Sequence, residues 1–426
     1  MLWRISFLYL FLSSFVCADD NSVMFDRNFS PYSGAENFIA MQKGLEKVED
    51  RFFSHQPISD GDIKNPLPPL PMAQQWGQWW RNLIFWAPIS LSMSVTQHEV
   101  FGHGYRIRDL GPKYATVEGY KMYVIGGSTR FEPTQRLTPS QMITMDIAGL
   151  EADSVFSNRM RSKWLKNGAI DPRQITLYLT STTTSLMYSM TVNHTSRSRS
   201  EKGNDISNYL FYLNALYPDG HVSYRSLRNL SWLNLVDPFI FLSFYSLSMY
   251  ERYGTSPSLP MFQFGKYMYL PVVRTALTPF GLQGVLENYF LTDTHQFTAY
   301  LKWGKNGPNS YFGTGIERQK LAVFPWVTAG ARLDFWYQPN VLFSQGALSA
   351  VELMELSKNT PVPKLYPDEV LNEKEFGFLA SVIGTLGKES WPTRPYFELG
   401  YKTKGYLPGE ALRAAPIMRL GLSGNF

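Results

Sequence analysis

The stretch IMRLGLSGNF, residues 417–426, puts Met418, Leu420, Leu422, Gly424 and Phe426 on one face of an extended chain and Arg419, Gly421 and Ser423 on the other. Successive side chains of a strand point to opposite sides, so this is a strand with one apolar and one polar face. The same period of two runs back through the last third of the chain. In QFTAYLKWG, Phe297, Ala299, Leu301 and Trp303 oppose Thr298, Tyr300 and Lys302. In TAGARLDFWYQ, Leu333, Phe335 and Tyr337 oppose Arg332, Asp334 and Trp336, and YFELGYK sets Phe397, Leu399 and Tyr401 against Glu398 and Lys402. Runs at 262–270, 280–291, 295–304, 309–318, 325–337, 374–386, 394–404 and 415–426 give about eight strands. An even number suits antiparallel closure in a membrane, with apolar residues outward and polar residues toward a lumen. The short link TDT at 292–294 reads as a periplasmic turn, and by parity the long connection 338–373 faces outward.

The terminal strand, alternating and ending on Phe426, resembles the C-terminal strand of Gram-negative outer-membrane β-barrels. That resemblance implies insertion by the barrel-assembly machinery, contact with outer-membrane lipid, and an outer-membrane location. The other end agrees with export. Residues 1–18, MLWRISFLYLFLSSFVCA, carry one arginine, an apolar run and a small residue at the expected cleavage point, as a signal peptide does. An uncleaved anchor is the alternative, although the apolar core is short for a bilayer span. Cys17 is the only cysteine, so the mature chain would hold no disulfide and any metal site must use His, Asp and Glu.

The net charge of +5 over 426 residues is modest and dispersed, which gives no nucleic-acid footprint. Aromatic residues make up 15%, a richness that suits bilayer interfaces. Residues 19–74 read as a short helix, GAENFIAMQKGLEKVEDRFF, followed by a stiff NPLPPLPM linker. Residues 75–255 read as a helical domain. Thr138 is its clearest N-cap and Gly168 its clearest stop, and KYATVEGYKMYVIGGSTRF interrupts it as a β-hairpin. The expected fold is therefore α+β: a helical domain followed by an antiparallel membrane β-barrel over 256–426.

Chemistry concentrates in QHEVFGHGY, residues 97–105, which uses two of the six histidines. In H-E-x-x-H zinc peptidases the histidines are four apart, about 40° around the helix, so both imidazoles face one ion. His98 and His103 are five apart, about 140° on a regular helix. They chelate one ion only if the helix holds an extra residue as a π-bulge, a distortion that Gly102 tolerates. The spacing thus predicts a bulged helix.

HEVFGHG resembles the H-E-x-x-G-H-G motif of dipeptidyl peptidase III, a zinc peptidase family with this spacing. The resemblance is confined to the motif, and it implies Zn2+ on His98 and His103, Glu99 as general base, and a helical zincin-like domain. It also implies a third ligand on a later helix. Glu151 in GLEADS, 48 residues after His103, is the expected one, with Asp146 and Asp153 as rivals. The family's own ligand position falls on Gly149. Asp153 is alternatively placed to orient a ligand imidazole. His194 and His221 are candidate donors to an oxyanion, with Tyr120 and Tyr123 behind them. The function so implied is an outer-membrane zinc metallopeptidase with a peptide or protein substrate and a periplasmic helical domain. The rivals are a non-catalytic barrel with a helical plug or assembly module, and a polytopic inner-membrane metalloprotease built on low-charge helices.

Overall fold

A computed structural model describes residues 20–53, 68–191, 204–292, 295–344, 346–357, 363–388 and 390–425. The leader, the first three residues of the NPLPPLPM linker, the last two of the TDT turn, His194 and Phe426 lie outside the described residues. Strand β1 (Asp20–Asp26) leads into helix α1 (Pro31–Phe53). A long helical rod follows, made of α2 (Met72–Arg81), α3 (Ala87–Thr96) and α4 (Gly104–Leu110). Two π segments, Asn82–Trp86 and Gln97–His103, join its parts. The hairpin of β2 (Ala115–Tyr123) and β3 (Gly126–Pro133) comes next, as the sequence predicts.

Helices α5 (Pro139–Asp146), α6 (Ala148–Asn167), α7 (Ile175–Thr191), α8 (Asp205–Leu216), α9 (Tyr224–Ser231) and α10 (Pro238–Tyr253) complete the helical part. Thr138 closes a full capping box on α5, and Gly168 ends α6 with φ 70°, a left-handed turn that favours glycine. Among the described residues no single helix is long and apolar enough to cross a membrane. The bent pair Tyr224–Val236 and Pro238–Tyr253, 49° apart, passes that test only when taken together.

The remaining chain forms β4 (Phe262–Phe264), β5 (Tyr267–Thr278), β6 (Gly281–Leu291), β7 (Gln296–Asn306), β8 (Asn309–Phe324) and β9 (Val327–Pro339). After the short helices α11 (Ala350–Leu356) and α12 (Asp368–Asn372) come β10 (Lys374–Leu386), β11 (Thr393–Lys402) and β12 (Ala415–Asn425). The protein is α+β, with one antiparallel sheet of ten strands in the order β1-β12-β11-β10-β9-β8-β7-β6-β5-β4. Two strands are additional to the expected eight. The 262–270 run splits at a turn into β4 and the start of β5, and β1 reaches from the other end of the chain to pair Phe25 with Leu420. Among the described residues no strand pair joins the two edges of the sheet.

The two faces of the sheet are inverted relative to a water-soluble protein. Leu333, Phe335, Leu399, Met418 and Leu420 are exposed, whereas Arg332, Asp334, Glu398, Lys402 and Arg419 are buried. Helices α1 and α6 lie against the polar face. Arg159 of α6 donates to Glu36 of α1 at 2.8 Å and to Glu317 of β8 at 2.7 Å. Arg161 donates to Glu287 of β6 at 2.5 Å and to Tyr289 at 2.9 Å. An eight-stranded lumen would exclude the helices; in this ten-stranded sheet α1 and α6 lie against the polar face. Charges buried this way persist only because each is ion-paired or, like Lys402 on the Thr403 and Gly405 carbonyls, hydrogen-bonded.

Helices also cover both edges. The free edge of β1 is met by Asn37 of α1, which accepts from Met24 N–H at 2.6 Å and donates to Met24 C=O at 2.9 Å. Beyond β4, the free edge of β5 is met by Asn234, whose Oδ1 accepts from Thr275 N–H at 2.7 Å. Pro271 falls in this stretch of β5, where an edge strand tolerates a missing N–H.

Candidate metal centre

The spacing problem in QHEVFGHGY is solved as the sequence predicts. Residues Gln97–His103 form a π segment, and Gly104 N–H donates to the carbonyl of Glu99, five residues back. One extra residue per turn brings positions five apart to where four-apart residues stand in an α-helix. The side chain of Gln97 ties the segment down, donating to Pro31 C=O at 3.0 Å and Ala152 C=O at 3.1 Å. Arg108 Nη2 donates to the Val100 carbonyl at 2.7 Å. Gly102 lets this helix touch α6, since a Cβ there would sit 2.7 Å from the Ala148 carbonyl oxygen and from Gly149 Cα. Gly149 in turn lies under the His98 imidazole, where a Cβ would come within 2.2 Å of Nε2.

Three acceptor atoms then converge. His98 Nε2 and His103 Nε2 are 3.3 Å apart, and Asp205 Oδ2 stands 3.1 Å from the first and 3.2 Å from the second. The far nitrogens fix the tautomers. His103 Nδ1 donates to the Met145 carbonyl at 2.7 Å, and His98 Nδ1 faces Asp153 Oδ2 at 2.9 Å. With both Nδ1 atoms protonated, both Nε2 lone pairs point at a carboxylate oxygen, an arrangement satisfied by a metal cation at its centre or by a proton on either Nε2. Atoms spaced this closely suit one first-row ion bound at about 2.0–2.2 Å by each. His98, His103 and Asp205 are thus a group that could hold a metal ion.

Of the residues expected from sequence, His98 and His103 are brought together with Asp153, which holds the His98 ring. Glu99 is buried beside them. Its Oε2 accepts from Thr129 Oγ1 of β3 at 2.7 Å, and its charge acts on His103 and Tyr188. Glu151 is not part of the ligand group. Its Oε1 accepts from Arg106 Nη2 at 2.5 Å and from Gly409 N–H at 2.5 Å, so it links α4, α6 and the loop before β12. Asp146, the other rival, is buried with Oδ2 lacking a partner among the described residues. Burial first, and then the charge of Asp205, push its carboxyl well above the usual range. For Asp205 burial acts upward too, but His103 and His98 outweigh it and hold the carboxyl well below its ordinary value.

His221 is exposed in the turn between α8 and α9, with φ 30°, and joins no ligand. Tyr120 OH accepts from Arg108 Nη1 at 2.5 Å, and Tyr123 is exposed at the hairpin tip. The hydroxyl beside the ligands belongs to Tyr188 of α7. Its ring stacks on His98 at 5.7 Å and 8°, with Oη 3.4 Å from His98 Nε2.

The sequence reading missed Asp205 and Tyr188. Asp205 had a legible signal: Asn204 caps a helix whose Ile206, Tyr209, Leu210, Leu213 and Leu216 recur at helical spacing, leaving Asp205 at its start. Tyr188 had none, because its role depends on how α7 packs. Compared with known protein families, curated proteins and solved structures, the chain matches none.

Proposed function

We propose that this chain is an outer-membrane zinc metallopeptidase whose sheet is a membrane barrel wall completed by helices. The observation that carries the reading is the convergence of His98 Nε2, His103 Nε2 and Asp205 Oδ2 beside Glu99. Two imidazoles and a carboxylate suit zinc, which when bound polarises a scissile carbonyl and lowers the pKa of water. Glu99 takes the proton of the attacking water and passes it to the leaving amine, held in position by Thr129. Tyr188 donates its hydroxyl proton to the carbonyl oxygen as negative charge develops, the task first assigned to His194 or His221. Asp153 and the Met145 carbonyl keep both imidazoles in the ligating tautomer. The motif likeness to dipeptidyl peptidase III supports the chemistry and says nothing of the fold.

The membrane part of the reading rests on the inverted sheet, apolar outside and ionic inside, which suits lipid on one side. The helices on the ionic face also suit a plug without chemistry, and metal content separates the two. Elemental analysis of the purified protein is expected to find one zinc per chain. Glu99→Gln is expected to keep that zinc and to slow peptide hydrolysis by about 10²–10⁴-fold. A metal-free protein that His98→Ala leaves unchanged would sink the peptidase and leave the plug.

A further inference from the structure

We propose that the metal centre opens sideways to the bilayer, so that its substrate is a membrane-embedded polypeptide segment entering from the lipid. The proposal rests on the peptidase reading and adds the substrate class. It follows from a chain of contacts leading from the apolar face of the sheet to the ligands. Val273 of β5 is exposed on that face. Two residues on, Thr275 is bonded to Asn234 and to the carbonyl of Leu230. The neighbours Leu230, Trp232 and Leu233 are exposed as well. Ser231 of α9 meets Ser185 of α7 at 3.3 Å. Further along α7, Met187 and Met190 are 59% and 56% exposed, and they flank Tyr188, which stacks on His98. The path is tied together by the polar contacts of Thr275, buried Asn234, buried Ser231 and Ser185; exposed Leu230, Trp232, Leu233, Met187 and Met190 flank it, and it ends at the metal ligands.

The other side of the opening is apolar too. The hairpin tip exposes Tyr123, Val124 and Ile125, the last by 83%, and Met122 touches Thr96 just ahead of the π segment. Water-soluble peptides would meet a polar rim; here methionines and a branched aliphatic tip surround a charged centre. Exposed apolar surface of this extent is costly unless something apolar covers it. The continuity with the sheet's outer face identifies acyl chains as the cover. A polypeptide fits better than a lipid ester because β3 pairs with β2 alone and lies against Glu99 through Thr129. Among the described residues no strand but β2 pairs with β3, and an extended substrate backbone would add as its second neighbour.

Two measurements test this on the full mature chain, zinc-loaded, in phosphatidylethanolamine–phosphatidylglycerol vesicles. Bimane attached at Ile125→Cys or Met190→Cys should be quenched by doxyl-labelled lipid and shielded from aqueous iodide. The reverse pattern overturns the proposal, whatever the protein hydrolyses. In the second, a fluorogenic random-peptide library is joined to an apolar anchor of about twenty residues, long enough to span, and compared with the free library. The anchored library should be cleaved at least about tenfold faster, the worth of a few buried methylenes. Met187→Asp with Met190→Asp should abolish that preference while zinc content stays the same. Equal cleavage of both libraries, unaffected by the aspartates, overturns the lateral entrance and leaves the peptidase standing. Loss of neither activity nor zinc in Glu99→Gln and His98→Ala instead removes the peptidase reading, and the inference with it.

Discussion

At the scale of single residues, two carboxylates in the same neighbourhood have different partners, and the difference predicts different phenotypes. Asp205 faces two imidazole Nε2 atoms, whereas Glu151 faces a guanidinium and a backbone N–H. Asp205→Ala should abolish zinc retention in dialysis against a weak chelator. Asp153→Asn, which disturbs the hydrogen bond to His98 and touches no proposed ligand atom, should weaken zinc affinity about 10–100-fold. Glu151→Gln should retain zinc, because no ligand is touched. Its cost is in stability: Arg106 is fully buried and keeps Asp109 at 2.9 Å, so losing one of its two carboxylates costs about 1–3 kcal/mol. Chemical denaturation would read that loss. Zinc lost from Glu151→Gln with stability intact would return Glu151 to the ligand set.

At the scale of elements, the π segment is what the sequence announced most clearly, since a spacing of five with a glycine before the second histidine has few other uses. The alternating strands were equally legible, because a period of two is set by the chain itself and needs no knowledge of partners. What stayed hidden depended on distant partners. Strand β1 is seven residues whose partner β12 lies at the far end of the chain, and β5 runs through Pro271, a residue that argues against a strand until its edge position is known. Asp205 lies 102 residues beyond His103 on a helix that only packing brings to the site. The π segment itself makes a prediction. Deleting Val100, which lies between the histidines, returns the spacing to four and should let the helix regularise with its flanks in register. Crystallography or zinc-edge absorption should then find both histidines still ligating. Loss of zinc in this deletion would mean that the bulge sets more than the spacing.

At the scale of the whole molecule, the question is how a ten-stranded sheet with two open edges could survive in lipid. In a bilayer every backbone N–H and C=O must be satisfied within the protein, which closed barrels achieve by strand pairing alone. Here helical segments meet both edges, and one amide side chain at each bonds free backbone groups of the edge strand. Asn37 both accepts from and donates to Met24, and Asn234 accepts from Thr275. Asn37→Ala and Asn234→Ala should each cost about 1–3 kcal/mol, the penalty for stranding a buried backbone group. The two sit at opposite edges without a shared partner, so their costs should add. Migration on SDS gels after graded heating would show this. A sealed sheet keeps its compact form until heated, and each variant should unfold at a lower temperature, the double variant lowest. If the edges instead pair with each other in the membrane, neither asparagine carries the seam and all three variants should migrate as the parent does. Helices would then serve only as filling, and the lateral entrance between α7 and the hairpin tip would lose its wall.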